Sequence, residues 1–121
     1  DFTNRDGSGG HAAEWYGYCD GNAVDQGTCS LTGYTIPDEA DNGLVHVPCV
    51  ISMAKTSAPH TGGSQFFLIP EDSTPSHLDG VHTVFGTITS GCDDITAISS
   101  VSTGTSDRPN AEVRLESVVI S

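Results

Sequence analysis

Residues 62–70 read GGSQFFLIP, and the reading of this stretch decides the fold. Two glycines lead into Ser64 and Gln65, an apolar run follows over 66–69, and Pro70 ends it. Side chains alternate along a strand, so Gln65, Phe67 and Ile69 share one face and Ser64, Phe66 and Leu68 the other. Both faces are apolar, which predicts a strand over 64–69 covered on both sides. One of those faces also sets an amide beside an aromatic ring.

Working outward, CVISMA at 49–54 follows Pro48 as a second short strand. VHTVFGTI at 81–88, β-branched and aromatic, reads as a third, and EVRLESVVI at 112–120 as a closing one. DDITAISSV at 93–101 has Ile95, Ile98 and Val101 near helical spacing, with acidic residues where a first turn favours them. It is the one convincing helix. Residues 1–43, rich in Gly, Asp, Asn and Ser and punctuated by Trp15, Tyr16, Tyr18 and Tyr34, read as long loops pinned by aromatics. There is no internal repeat, and 1–121 is expected to be one domain. The expected class is mainly β, a barrel or closed sheet, because strands this apolar leave costly edges when open.

Sixteen acidic residues against four basic ones give a formal charge of −12, a field that repels phosphate and argues against nucleic-acid partners. The acids are scattered (Asp20, Asp25, Asp38, Glu39, Asp41, Glu71, Asp72, Asp93, Asp94) and read as a solvated surface. DEADNG at 38–43 lacks the alternating oxygens and distal Glu of a calcium loop. No apolar run approaches the ~18 residues of a membrane span, so no membrane association is expected. The chain opens without Met on DFTNRDGSGG, in what reads as mid-loop, and is expected to be a fragment. Cys49 and Cys92 sit in apolar settings and are expected to be small core residues. Cys19 and Cys29 flank the turn-rich DGNAVDQGT, and the spacing leaves open whether they close it as a disulfide. No CxxC pair supports a zinc site.

Several motifs fall short of the chemistry they hint at. DGSGG would need a strand before it and a helix after it to cradle phosphate, and reads instead as a tight turn. Ser64, His82 and Asp79 are the residue types of a hydrolase triad, but GGSQF is no nucleophile elbow and no oxyanion site accompanies it. His77 and His82 span a turn without a third ligand, so no metal is expected. What remains is Gln65, Phe67, Met53, Leu78 and His82, an apolar set with two polar groups able to bond a peptide backbone. Such a pocket suits a proline ring, which has no backbone N–H to satisfy.

On these residues the chain resembles the cyclophilin family of peptidyl-prolyl cis–trans isomerases. GGSQFFLIP followed by HLDGVHTVFGTITSG carries the likeness, with DFTNRDGSGG, VISMAKTSAPHTGGSQFF and DRPNAEVRLESVVIS in support. These segments run in family order from the first residue to the last, interrupted mainly around 12–33, and MAKTSAPH resembles the bacterial form of its loop. The resemblance implies a cyclophilin-like closed β-barrel with a short helix, its N-terminal strands missing from this chain. It also implies catalysis of X–Pro isomerisation in protein folding. Gln65, Phe67 and His82 would be the catalytic residues: Gln65 holding the substrate backbone, Phe67 lining the proline pocket with Met53 and Leu78, and His82 at its edge. Ala54 and Thr56 resemble the segment along which the peptide lies, and Gly7, Ser8, Gly9 and Gly10 the loop beside the pocket for preceding side chains. Phe66 and Leu68 would fill the barrel while Gln65 and Phe67 face the groove. His77 stands where some members carry the Trp that contacts cyclosporin, so weaker binding of such ligands is expected.

The family's catalytic Arg lies upstream of the DFT segment, and Arg5, Arg108 and Arg114 do not match its position. The fragment alone is therefore expected to be weakly active or inactive. No cofactor or metal is implied. Proline-containing peptides and unfolded or folding proteins are the implied partners of a monomer. The expected location is the cytoplasm, or outside it should Cys19 and Cys29 be bridged. The alternative reading is a catalytically inactive cyclophilin-like module that binds proline peptides, and the upstream Arg discriminates the two.

Overall fold

Backbone amides must be paired wherever they are buried, and the described residues do so with two small antiparallel sheets rather than one large one. The computed structural model describes residue 3 and residues 7–121; Arg5 and most of the opening DFTNRD stretch lie outside the described residues. The first sheet contains β1 (Tyr18–Cys19), β2 (Asn22–Ala23) and β3 (Tyr34–Thr35) in the order β2-β1-β3. Asp20 and Gly21 join β1 to β2, both with positive φ (48° and 83°), the backbone that a two-residue primed turn requires. Residues 1–43 are thus not loop throughout. The expected aromatic pinning holds for Trp15, edge-on to Tyr34 at 5.1 Å, and for Tyr18 against His60 at 4.4 Å, while Tyr16 stays 52% exposed.

The second sheet carries the core. It contains β4 (Val50–Met53), β5 (Phe66–Leu68) and β6 (Val84–Thr87) in the order β5-β4-β6, all antiparallel. All three were foreseen, with ends a few residues shorter than expected. Ser52 stands opposite both Phe67 and Val84. Ile51 stands opposite Gly86, so Phe85 is an extra residue that bulges outward at 50% exposure. One face of the sheet is packed: Val50, Ile69 and Val84 are each at most 4% exposed, with Phe67 against them.

The other face departs from the two-sided expectation. Met53 pairs with Phe66 and Ile51 with Leu68 on that side, and Phe66 is 45% exposed. Ile51, Met53 and Leu68 are only half-buried there, and among the described residues the sheet does not close into a barrel. The fold is mainly β with little helix.

Helix α1 (Cys92–Ser99) begins one residue before the predicted span and ends two before it, with Asp93 and Asp94 in its first turn. Both cysteine pairs are disulfides. Cys19–Cys29 resolves the alternative left open by spacing. Cys49–Cys92 adds a bond to the reading of those two as small core residues: Cys92 is buried and Cys49 half-buried, and the fold brings their Cα atoms to 5.7 Å across 43 positions of sequence. It ties α1 to the start of β4. The closing strand expected at 112–120 is not formed. Val113, Leu115, Val118, Val119 and Ile120 are exposed there, since a strand pattern without a neighbouring edge has no hydrogen bonds to make. Among the described residues no helix is long and apolar enough to cross a membrane.

Candidate functional site

The strand β5 places Gln65 and Phe67 on the packed side of the sheet, and the turn that re-enters at β6 brings His82 to them. Ser76–Leu78 form a short 3-10 turn. The Leu78 carbonyl accepts from the amides of Val81 and His82, both at 3.0 Å, which closes the turn LDGVH and aims the His82 ring back at the sheet. There Nδ1–H of His82 donates to the Met53 carbonyl at 3.1 Å, which leaves Nε2 as the acceptor in the neutral ring. The ring meets Phe67 edge to face, centroids 5.7 Å apart. Met53 therefore joins the site through its carbonyl, its side chain lying on the Phe66 face by register.

The Gly7–Ser8–Gly9–Gly10 loop lies directly against this corner. The side-chain amide of Gln65 donates to the Gly9 carbonyl, leaving its oxygen for another partner. A Cβ on Gly10, whose φ is +90°, would fall 2.9 Å from Ser64 Oγ and 3.1 Å from Gln65 Cγ. One on Gly63 would fall 2.2 Å from the Gly10 carbonyl oxygen. Only glycines permit this approach. Ser64 Oγ is buried there with no hydrogen-bond partner among the described residues. The Ala54 amide donates to the Gln65 carbonyl at 3.0 Å, extending the β4–β5 ladder into the site.

Thr56 and His77 sit apart. Thr56 is exposed and engages Thr61, the two hydroxyls 2.8 Å apart, within its own loop. That loop is tied down by Asp38, whose amide donates to His60 Nδ1 at 2.9 Å and whose carboxylate lies 3.6 Å from Lys55 Nζ. His77 is exposed at the rim, and Leu78 is half-buried beside His82.

Beneath Phe67 is a polar chain that the sequence did not announce. His46, 1% exposed, stacks its ring parallel to Phe67 with centroids 5.9 Å apart. Its Nδ1–H donates to Asp79 Oδ1 at 2.8 Å, and its backbone N–H donates to the same oxygen at 2.7 Å. Nε2 shares a 2.9 Å hydrogen bond with Ser52 Oγ, which also lies 3.1 Å from the Thr83 carbonyl. The backbone bond from His46 first, then its side-chain bond, holds the Asp79 carboxyl below its ordinary value of 3.8, the charges of His46 and His77 adding to this.

The residue types of a triad thus do meet, but as Ser52, His46 and Asp79 rather than Ser64, His82 and Asp79. Ser52 is 0% exposed, so no substrate carbonyl can reach its hydroxyl. The chain is a support: it satisfies a buried imidazole and fixes the ring on which Phe67 rests. The one sequence signal for it was His46 between Val45 and Val47 in LVHVP, an imidazole in an apolar setting. A cavity of about 230 Å³ lies elsewhere, at the β4–β6 edge, lined by Leu44, Val45, Val47, Val50, Val84 and Phe85 among others, and holds none of these site residues.

Residues 6–120 match the model of the cyclophilin type peptidyl-prolyl cis-trans isomerase/CLD family. Among similar proteins, peptidyl-prolyl cis-trans isomerase-like 1 of Gibberella zeae is 40% identical over 96 residues, covering 79% of this chain and 58% of that protein. Peptidyl-prolyl cis-trans isomerase CYP18-1 of Arabidopsis thaliana is 36% identical over 102 residues, covering 84% and 62%. Peptidyl-prolyl cis-trans isomerase D of Mycosarcoma maydis is 38% identical over 115 residues, which is 95% of this chain and 24% of that much longer protein. The chain thus spans about three-fifths of the shorter relatives.

Proposed function

The chain belongs to the cyclophilin-type peptidyl-prolyl cis-trans isomerases, and from that premise we propose that it carries the proline-binding part of an enzyme that interconverts cis and trans X–Pro bonds. The observation that carries the reading is the convergence of Phe67, His82, Gln65 and the Gly9–Gly10 backbone at one corner of the β4–β5–β6 sheet.

The chemistry asks for little. Rotation about a peptide bond faces ~18–20 kcal/mol of lost resonance. The two X–Pro isomers differ by only about 0.5–1 kcal/mol, so the obstacle is kinetic. The enzyme must bind the twisted amide better than either planar form. Phe67, seated on His46, offers an apolar wall to the proline ring, and a ring without a backbone N–H loses no hydrogen bond against it. Gln65, its amide nitrogen held by Gly9, presents its oxygen to a substrate backbone N–H. His82 closes the edge of the pocket, with Leu78 behind it. The family's cationic donor, which stabilises the pyramidal prolyl nitrogen of the twisted state, would come from an upstream segment. Arg108 and Arg114 are not its counterparts, and Arg114 is taken up by Glu112 at 2.8 Å.

The same segment would complete the fold. The partly covered face of Ile51, Met53, Phe66 and Leu68, with Phe66 exposed, and the unpaired 112–120 strand pattern support closure into a barrel by strands outside this chain. Its substrates are proline-containing stretches of unfolded or folding proteins. His77 at the rim supports weak binding of cyclosporin-like ligands. Two disulfides support residence in an oxidising compartment rather than the cytoplasm.

Titrating the isotope-labelled chain with an Ala-Pro peptide tests the binding half of this reading. Shift changes are expected at Gly9, Ala54, Gln65, Phe67 and His82. Changes confined to other residues, or none at millimolar peptide, would overturn it.

A further inference from the structure

We propose that Cys49, Cys92 and Glu71 form a zinc site when the Cys49–Cys92 disulfide is reduced, so that this pair is a disulfide in oxidising surroundings and a metal centre in reducing ones. The inference stands apart from the isomerase reading. Both Sγ atoms and a Glu71 carboxylate oxygen lie within 4.8 Å of one another. Cys92 is 8% exposed, Cys49 half-buried and Glu71 exposed, so two thiolates would be sheltered and the carboxylate would close the solvent side. The Cys19–Cys29 pair belongs to no such group among the described residues.

The backbone that carries the three ligands is fixed by bonds other than the sulfur–sulfur bond. Cys49 donates its amide to the Ile69 carbonyl at 3.0 Å and accepts at its own carbonyl from Ile88 at 2.7 Å, bonds that hold it at a φ of +63°. Cys92 is the first residue of α1, where the free N–H end of the helix favours negative charge. The Glu71 amide donates to Thr96 Oγ1 at 3.0 Å, and that hydroxyl donates to the Cys92 carbonyl at 3.1 Å. Opening the disulfide leaves these bonds intact.

Zinc holds thiolates at about 2.3 Å in a tetrahedron, which sets two sulfurs about 3.8 Å apart. From a disulfide with Cα atoms 5.7 Å apart, side-chain rotation supplies that separation. Two thiolates and one carboxylate suit a borderline-soft divalent ion, with water in the fourth position. The redox step balances with a dithiol reductant. Two electrons and two protons pass to the Cys49–Cys92 bond, giving two thiols, while the reductant closes its own disulfide. Zinc then displaces both thiol protons and takes the Glu71 carboxylate as third ligand.

The experiment uses the full chain carrying C19S and C29S, reduced, desalted without oxygen and titrated with zinc, then with cobalt as a spectroscopic probe. One zinc per chain is expected in the reduced form and none in the oxidised form, with a thiolate-to-cobalt charge-transfer band. Glu71→Gln, at an exposed position, should weaken zinc binding at least roughly tenfold. Should the C19S/C29S chain not fold, zinc protection against alkylation in the fully reduced native chain gives the same reading. Protection is then expected at Cys49 and Cys92 and not at Cys19 or Cys29. The proposal is overturned if the reduced chain binds no zinc, if E71Q binds as tightly as its parent, or if reduction abolishes the native near-ultraviolet circular dichroism.

Discussion

Ser52→Ala is the sharpest probe of the support beneath Phe67. The serine is 0% exposed, and its hydroxyl lies 2.9 Å from His46 Nε2 and 3.1 Å from the Thr83 carbonyl. Alanine fits the same space, so the change removes one oxygen and leaves an imidazole nitrogen in a ring 1% exposed without a partner. An orphaned buried polar group costs about 1–3 kcal/mol, and we expect about 2. At about 2.1 cal/mol/K of unfolding entropy per residue, 121 residues give about 0.25 kcal/mol/K, so Tm should fall by about 8 °C. Urea unfolding of the chain with both disulfides intact measures this. The cause is isolated by repeating it in a His46→Leu background, where no buried nitrogen waits for the hydroxyl. There Ser52→Ala should cost about 1–2 kcal/mol less. A loss under about 0.5 kcal/mol, or additive single and double variants, would refute the reasoning.

Three further outcomes follow from the same geometry. Gly63→Ala puts a methyl group 2.2 Å from the Gly10 carbonyl oxygen and should displace the Gly7–Gly10 loop, costing about 1–3 kcal/mol and weakening Ala-Pro peptide binding. Gly27→Ala, with nothing within 4 Å, is the silent control, and peptide titration of both variants checks the contrast. The depressed carboxyl of Asp79 stabilises the fold above its ordinary value of 3.8, and that stability is lost as pH falls through the lower folded value. Urea midpoints of the chain and of Asp79→Asn should therefore differ most near neutrality and converge in acid, while the general relief of repulsion among other carboxyls affects both alike. The Cys49–Cys92 bond closes a 43-residue separation and Cys19–Cys29 one of 10, so removing them as Ser pairs should cost about 4 and about 3 kcal/mol, read from the same unfolding curves.

How much of this the sequence disclosed depended on whether the signal was local. β4, β5, β6 and α1 carry apolar runs or helical spacing within fewer than ten residues, and each was legible. That Phe67 and His82 meet, with Gln65 against the Gly9 carbonyl, was legible for another reason, that their motifs are those of a family, while their roles rest on the proposal. The His46–Asp79–Ser52 chain was not, because its members stand 6 and 33 positions apart and meet only when the LDGVH turn folds over β4. The Cys49–Cys92 bridge was hidden likewise by its span. Residues 112–120 failed in the opposite sense: their alternation is a true strand pattern, but pattern alone supplies no neighbour to pair with. Phe66 shows the same limit, since a strand apolar on both faces tells of two covering layers without saying which segment provides the second.

The central proposal is that this corner of the sheet turns over X–Pro bonds. NMR exchange of an Ala-Pro peptide tests it most directly, measured with this chain, with the chain extended by the proposed upstream segment, and with Phe67→Ala in each. The account predicts accelerated exchange by the extended chain, at least tenfold slower with Phe67→Ala, and little or no acceleration without the extension. Peptide binding at the mapped residues with no change in exchange rate from the extended chain would contradict it and leave a proline-peptide binding module in its place.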